Sequence, residues 1–230
     1  MSNAKPKAYG VLLYQDFEVL DAAGPIEALN CLVRFPGFED LTFSYVAKSK
    51  DVIVPGPSTQ DNFRARQQYL PSHTFAEKPE IDVLIVPGGM GMVGDLPELQ
   101  DYIRKAYRGE GGYKKLHSII SVCTGSVLMA RSGILDGQRA TGNKDAWDVV
   151  TSSGPKTHWI AQARWTNSEN IWSTSGVSAG ADGMLAWMEE VYGSEVVDKV
   201  VDTMEWIRAK GPEDDPFAVK HGCQDVLPQA

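Results

Sequence analysis

Residues 116–126 read LHSIISVCTGS, and the fold turns on how this stretch is taken. From His117 to Val122 five of six residues are apolar or small, a run that fits a strand buried on both faces. A cysteine follows, with a glycine two positions on. If Thr124 and Gly125 open a helix, Cys123 lies beyond the carboxyl end of a strand, where ligands bind in open α/β sheets. The segment S-V-C-T-G has small residues two before and two after the cysteine, as in the G-x-S-x-G elbow of hydrolases. Small neighbours there allow a tight turn that exposes a nucleophile. The positive end of the following helix is expected to favour thiolate over thiol and lower the pKa of Cys123. On these residues alone, a buried and inert cysteine fits equally well.

Outward from this stretch, strands alternate with helices. AYGVLLY (8–14) is a short apolar run, and GPIEALNCLVRF (24–35) follows as a helix with Pro25 in its first turn. LTFSYVA (41–47) is a second strand, a hairpin is expected at 52–62, and IDVLIVPGG (81–89) is a third buried run ending in two glycines. Helices are expected at 97–108, 125–132 and 145–152, and strands in ARWT (163–166) and NIWSTSG (170–176) around NSEN. SAGADGMLAWMEEVYG (178–193) opens a long amphipathic helix closed by Gly193. Ser178 and Asp182 read as its cap and first turn. The tail from 211, rich in Pro and charge, is expected to lie over the surface. The order predicts an α/β three-layer sandwich with a mostly parallel sheet, as one domain over 1–230.

Composition narrows the function. With 22 Lys+Arg against 30 Asp+Glu, the 230-residue chain carries a formal charge of −8 and lacks the basic stripe that phosphate contacts need. Binding to nucleic acid or to an anionic membrane is not expected; a small-molecule substrate is. The opening MSNAKPKAYG has no apolar h-region, no stretch nears 18 apolar residues and the mean hydropathy is −0.24, which favours the cytoplasm. Cysteines 31, 123 and 223 match neither a zinc pattern nor a disulfide framework and are read as free thiols. Six tryptophans are assigned to the core or to dimer contacts.

VLDAAGPIEAL (19–29), VLIVPGGMG (83–91), SVCTGSVLMARSGILDGQRAT (121–141) and STSGVSAGADGMLAWMEEVYG (173–193) together resemble the ThiJ/PfpI superfamily, whose fold is that of class I glutamine amidotransferases. The resemblance spans about residues 8–207. It implies a flavodoxin-like sandwich, a nucleophile-elbow cysteine, a homodimer, and no metal or organic cofactor. Asp21, four before a proline, and Thr124 after the cysteine are similar to the isonitrile hydratase branch, so Cys123, Asp21 and Thr124 carry over as the catalytic group. An N-cap role for Asp21 is compatible with this, and Glu18 is the fallback carboxylate. Gly89, Met90 and Gly24 are read as the substrate or oxyanion-binding set, with the Gly89 and Thr124 N–H groups as the anion-stabilising pair.

The branch implies a hydratase that converts a small isonitrile to an N-substituted formamide. The alternatives are a glyoxalase or deglycase acting on 2-oxoaldehydes and a cysteine oxidation sensor. Two departures stand out. Thr124 occupies the place of the histidine found after the elbow cysteine in protease-like members, and A-T-G-N-K puts Asn143 where many relatives have a histidine. None of the four histidines is expected at the site. Pocket shape is assigned to the loops at 55–75 and 90–96.

Overall fold

A computed structural model describes residues 5–57 and 67–229. Strands β1 (Ala8–Leu12), β2 (Thr42–Ala47), β3 (His73–Thr74), β4 (Val83–Val86) and β5 (Ser118–Ser121) are parallel neighbours in the main sheet. Short strands β6 (Arg139–Ala140) and β7 (His158–Trp159) pair separately, and β8 (Trp165–Ser168) joins the main sheet antiparallel to β9 (Ile171–Thr174). The main sheet has seven strands in the order β3-β2-β1-β4-β5-β9-β8. Every residue of β1, β4, β5 and β9 is buried, as continuous apolar runs between two helical layers require.

Helices α1 (Val19–Leu32), α5 (Ala179–Tyr192) and α6 (Ser194–Met204) pack on one another. A second group, α2 (Pro97–Arg108), α3 (Gly125–Arg131) and α4 (Trp147–Ser152), packs on itself, giving the expected three-layer α/β sandwich. A last short helix, α7 (Pro216–Lys220), follows. Among the described residues no helix is long and apolar enough to cross a membrane. Trp147, Trp159, Trp172 and Trp187 are buried, and Trp165 and Trp206 pack half-buried against the same core, so the tryptophans serve this chain's interior.

Two local expectations need correction. α1 starts at Val19, five residues before the predicted start, so Pro25 lies inside it. Pro25 removes one backbone donor, but Ala22, Ala28, Leu29 and Leu32 bury a face that outweighs the loss. The β8–β9 turn is tighter than NSEN, because Asn167 and Ser168 continue the strand and the left-handed Glu169 (φ 58°) makes the reversal. The hairpin at 52–62 falls partly outside the described residues, and what is described is an antiparallel bridge from Ile53 to Tyr69.

The tail from 211 lies mostly over the surface, as expected, with only Asp215 and Ala218 buried among residues 211–229. Asp215 is buried and pairs with the buried Lys144 at 3.2 Å. Val226 bridges to Trp159, and Asp225 Oδ1 accepts the Ala161 N–H at 2.7 Å. The charge and proline content matched the exposure of the tail but gave no sign of these anchoring contacts.

Candidate active site

Sheet register assembles the site. Val86 lies opposite Ser121, and Ser121 opposite Ser173. Two residues further on, Gly88, Cys123 and Ser175 leave the sheet side by side, and the Cys123 N–H donates to the Ser175 carbonyl at 3.0 Å. Cys123 takes φ 59°, a left-handed conformation unusual for a residue with a Cβ, at the turn into α3. A Cβ on Gly88 would come within 2.5 Å of Thr124 Oγ1 and 2.6 Å of its backbone nitrogen, so only glycine lets these two strand ends approach.

Asp21 faces this turn from the third position of α1. It is fully buried and its Oδ2 accepts the Gly88 N–H at 2.8 Å, while Oδ1 has no hydrogen-bond partner. Glu18 takes the N-cap position, so Asp21 is not a cap. Burial pushes its carboxyl up to about 7, with a further rise from Glu18, opposed by the Gly88 N–H and the Cys123 thiol. Cys123 is buried, at 6% exposure. Burial, then the Asp21 charge, raise its thiol to about 11 against three donors: the Val177 N–H, the Asn143 amide and the Thr124 N–H. The helix end therefore does not lower this thiol, contrary to expectation, because desolvation next to a carboxylate outweighs one short helix.

These raised values make Asp21 and Cys123 one titrating pair, holding a single proton between pH about 7 and about 11. The thiolate is available in that state whenever the proton sits on the carboxyl. Alkylation of Cys123 is therefore expected to keep climbing with pH up to about 11, well past the range of an ordinary thiol, as followed by peptide mass spectrometry. A rate that levels off at about pH 8.5, the value of a free thiol, would mean that burial beside Asp21 does not raise this thiol.

A model of the DJ-1/PfpI family matches residues 7–217. The chain belongs to the DJ-1/PfpI family. Isonitrile hydratase of Pseudomonas putida is 30% identical over 224 residues, covering 96% of this chain and 85% of the relative. The HTH-type transcriptional regulator GbdR of Pseudomonas aeruginosa is 21% identical, covering 92% of this chain but 54% of the regulator. Among solved structures, a ThiJ/PfpI family protein from Pseudomonas syringae superposes with TM-score 0.70 at 22% identity, covering 94% of this chain and 84% of that one. Drosophila melanogaster DJ-1beta gives 0.69 at 17% identity, with 87% and 98% covered.

Within this family fold, the remaining site assignments come out unevenly. The Gly89 N–H donates to Thr124 Oγ1 at 3.0 Å and the Thr124 N–H faces the thiol, so these two are not a free anion-binding pair. Met90 opens a 3₁₀ turn and is 60% exposed. A Cβ on Gly24 would meet Ala181 of α5 at 3.5 Å, which makes Gly24 a helix-packing position. Ser178 precedes α5 without capping it; its hydroxyl accepts from Arg164, whose Nε donates to Asp182 Oδ2 at 2.7 Å.

The residues missed by sequence reasoning are those that hold the sulfur. Asn143 Nδ2 donates to Sγ at 3.0 Å while its Oδ1 accepts the Ala146 N–H, fixing the amide in place. Val177, at φ 25°, is a β-branched residue in a strained conformation that turns its N–H to the thiol. Lys144 next to Asn143 donates to Thr141 Oγ1, the Gly142 and Ala163 carbonyls and Ser175 Oγ, and pairs with Asp215. The position of Asn143 in A-T-G-N-K was the available signal.

A pocket of about 310 Å³ adjoins these residues, lined by Asn143, Lys144, Asp145, Ser175, Gly176, Val177, Ser178, Phe217 and His221. Of the loops at 55–75 and 90–96, residues 58–66 lie outside the described residues and the described ones do not line it; one histidine, His221, does, against expectation. His117 lies at the far end of β5, as the strand length required.

Proposed function

We propose that the protein is a cysteine-dependent hydratase that adds water to a small isonitrile. The observation that carries this reading is a fully buried Asp21 carboxyl, raised to about 7, beside an elbow thiol. The likeness to an isonitrile hydratase along nearly the whole chain supports it.

In the singly protonated pair, the Cys123 proton passes to Asp21 and Sγ attacks the terminal carbon of the isonitrile. Asp21 returns the proton to that carbon, giving a thioimidate in which carbon carries hydrogen and sulfur. The Asp21 carboxylate then takes a proton from water as its oxygen adds to the carbon, and that proton goes to nitrogen. When the hydroxyl proton passes back to Asp21, the C–S bond breaks and the N-substituted formamide leaves with the thiolate restored. Asn143, Val177 and Thr124 donate to sulfur, and their hydrogen bonds favour it in its charged form at the start and end of the cycle. Thr124, whose hydroxyl also ties down Gly89, is the positioning member of the group.

A panel of isonitriles and 2-oxoaldehydes tests this reading. Formamides from the first set are expected; hydroxy acids from the second set alone would replace the hydratase with a glyoxalase. The pH profile of kcat/KM is expected to rise through about 7, where the doubly protonated pair loses its first proton, and to hold above it. A homodimer is part of the proposal: light scattering at micromolar concentration should give twice the 25.2 kDa chain mass, and a single-chain mass refutes it.

A further inference from the structure

The C-terminal segment reaches back across the molecule to the pocket beside Cys123. Three residues that contact Cys123 also line that pocket: Asn143 and Val177, which donate to Sγ, and Ser175, which holds its backbone. The opposite contribution comes from Phe217 and His221, the first at the last residue matched by the family model and the second beyond it. The segment is tied down on both sides of them. Asp215, which accepts the Phe217 N–H at 2.9 Å, is locked to Lys144, and the Gln229 N–H donates to the Pro155 carbonyl at 2.7 Å.

We infer that this segment selects the substrate, with Phe217 as the apolar wall on which a compact, ring-sized substituent lies. Phe217 is 41% exposed, an aromatic surface that a ligand would cover. A cavity of roughly 150 Å³ holds benzene, so about 310 Å³ admits a ring and a short linker. The lining charges are paired, and the Lys220 ammonium lies over the Phe217 ring, 5.8 Å from its centroid. Lys144 is already neutralised by Asp215, and the Asp145 carboxylate stands at the rim, 3.6 Å from His221 Nδ1.

The inference rests on Cys123 being the reacting group, but its test does not need isonitrile turnover. Chloroacetamides alkylate a thiol: Sγ bonds to the methylene carbon, chloride leaves, and the thiol proton goes to Asp21 or solvent. In the wild type at pH 8, N-benzyl-2-chloroacetamide is expected to label Cys123 at least about tenfold faster than 2-chloroacetamide, the order that burying a ring supplies. Phe217→Ala should cut the benzyl preference to about twofold, and Phe217→Leu, which restores an apolar wall, should recover most of it. Equal labelling by both neutral probes in the wild type, or a preference untouched by Phe217→Ala, overturns the inference. A preference that depends on Phe217 in a protein with no isonitrile turnover would sink the hydratase and leave the wall standing.

Discussion

Asp21→Asn should lower isonitrile turnover by 10²–10⁴-fold, the usual contribution of a positioned acid, while making the protein more stable at pH 8. The two effects share one cause. The folded-state carboxyl ionises at about 7 against 3.8 for the free side chain, so its neutral form adds stability below 3.8. That stability is lost as pH rises through about 7. Above that, the native state holds a buried carboxylate with only Gly88 donating fully to it, and three pKa units set an upper bound of about 4 kcal/mol on the cost. Asparagine keeps the acceptor for the Gly88 N–H and carries no charge. Melting curves should show the variant several degrees above wild type at pH 8 and level with it at pH 4. A variant destabilised at both values would mean that the carboxylate, not the acid, is what the fold accommodates. Glu18→Gln should change turnover far less, since Glu18 only adds to the charge around Asp21.

The second large effect is expected far along the chain, at Asp215. Its side chain and that of Lys144 are 0% and 1% exposed, and removing one member of such a pair leaves the other as an unmatched buried charge. Asp215→Asn should cost about 3–5 kcal/mol in urea unfolding. Burial already pushes the Lys144 ammonium below its usual range against the pull of Asp215, so the variant should be least stable at low pH, where Lys144 must stay charged. Lys144→Met in the same chain should return much of the loss, because two neutral groups replace one orphaned ion. No recovery in the double variant would show that Lys144 acts mainly through its hydrogen bonds to Thr141, Gly142, Ala163 and Ser175.

The parts of this protein that follow from local pattern were legible in the sequence. Apolar runs ending in glycine marked β4 and β5, and S-V-C-T-G marked a tight turn whose cysteine does take φ 59°. Registers and long-range partners were not. That Asn143 donates to the thiol depends on β5, β6 and β9 converging, which no window of sequence encodes. The start of α1 was missed because Pro25 reads as an opening residue, whereas burial of Ala22 and its neighbours extends the helix ahead of it. Within a tail that lies mostly on the surface, the burial of Asp215 is not legible for a similar reason: its partner Lys144 is distant in sequence. The pKa of Cys123 was inferred from a helix end, but burial sets it, and burial is a tertiary property.

The central claim is that the Asp21–Cys123 pair passes one proton to the carbon that sulfur attacks. Wild type and Cys123→Ser should be given a ¹³C-labelled benzyl isonitrile in D₂O and followed by NMR. The account predicts N-benzylformamide from the wild type alone, with deuterium on the formyl carbon. Equal formamide from both proteins, or none from the wild type, would contradict it.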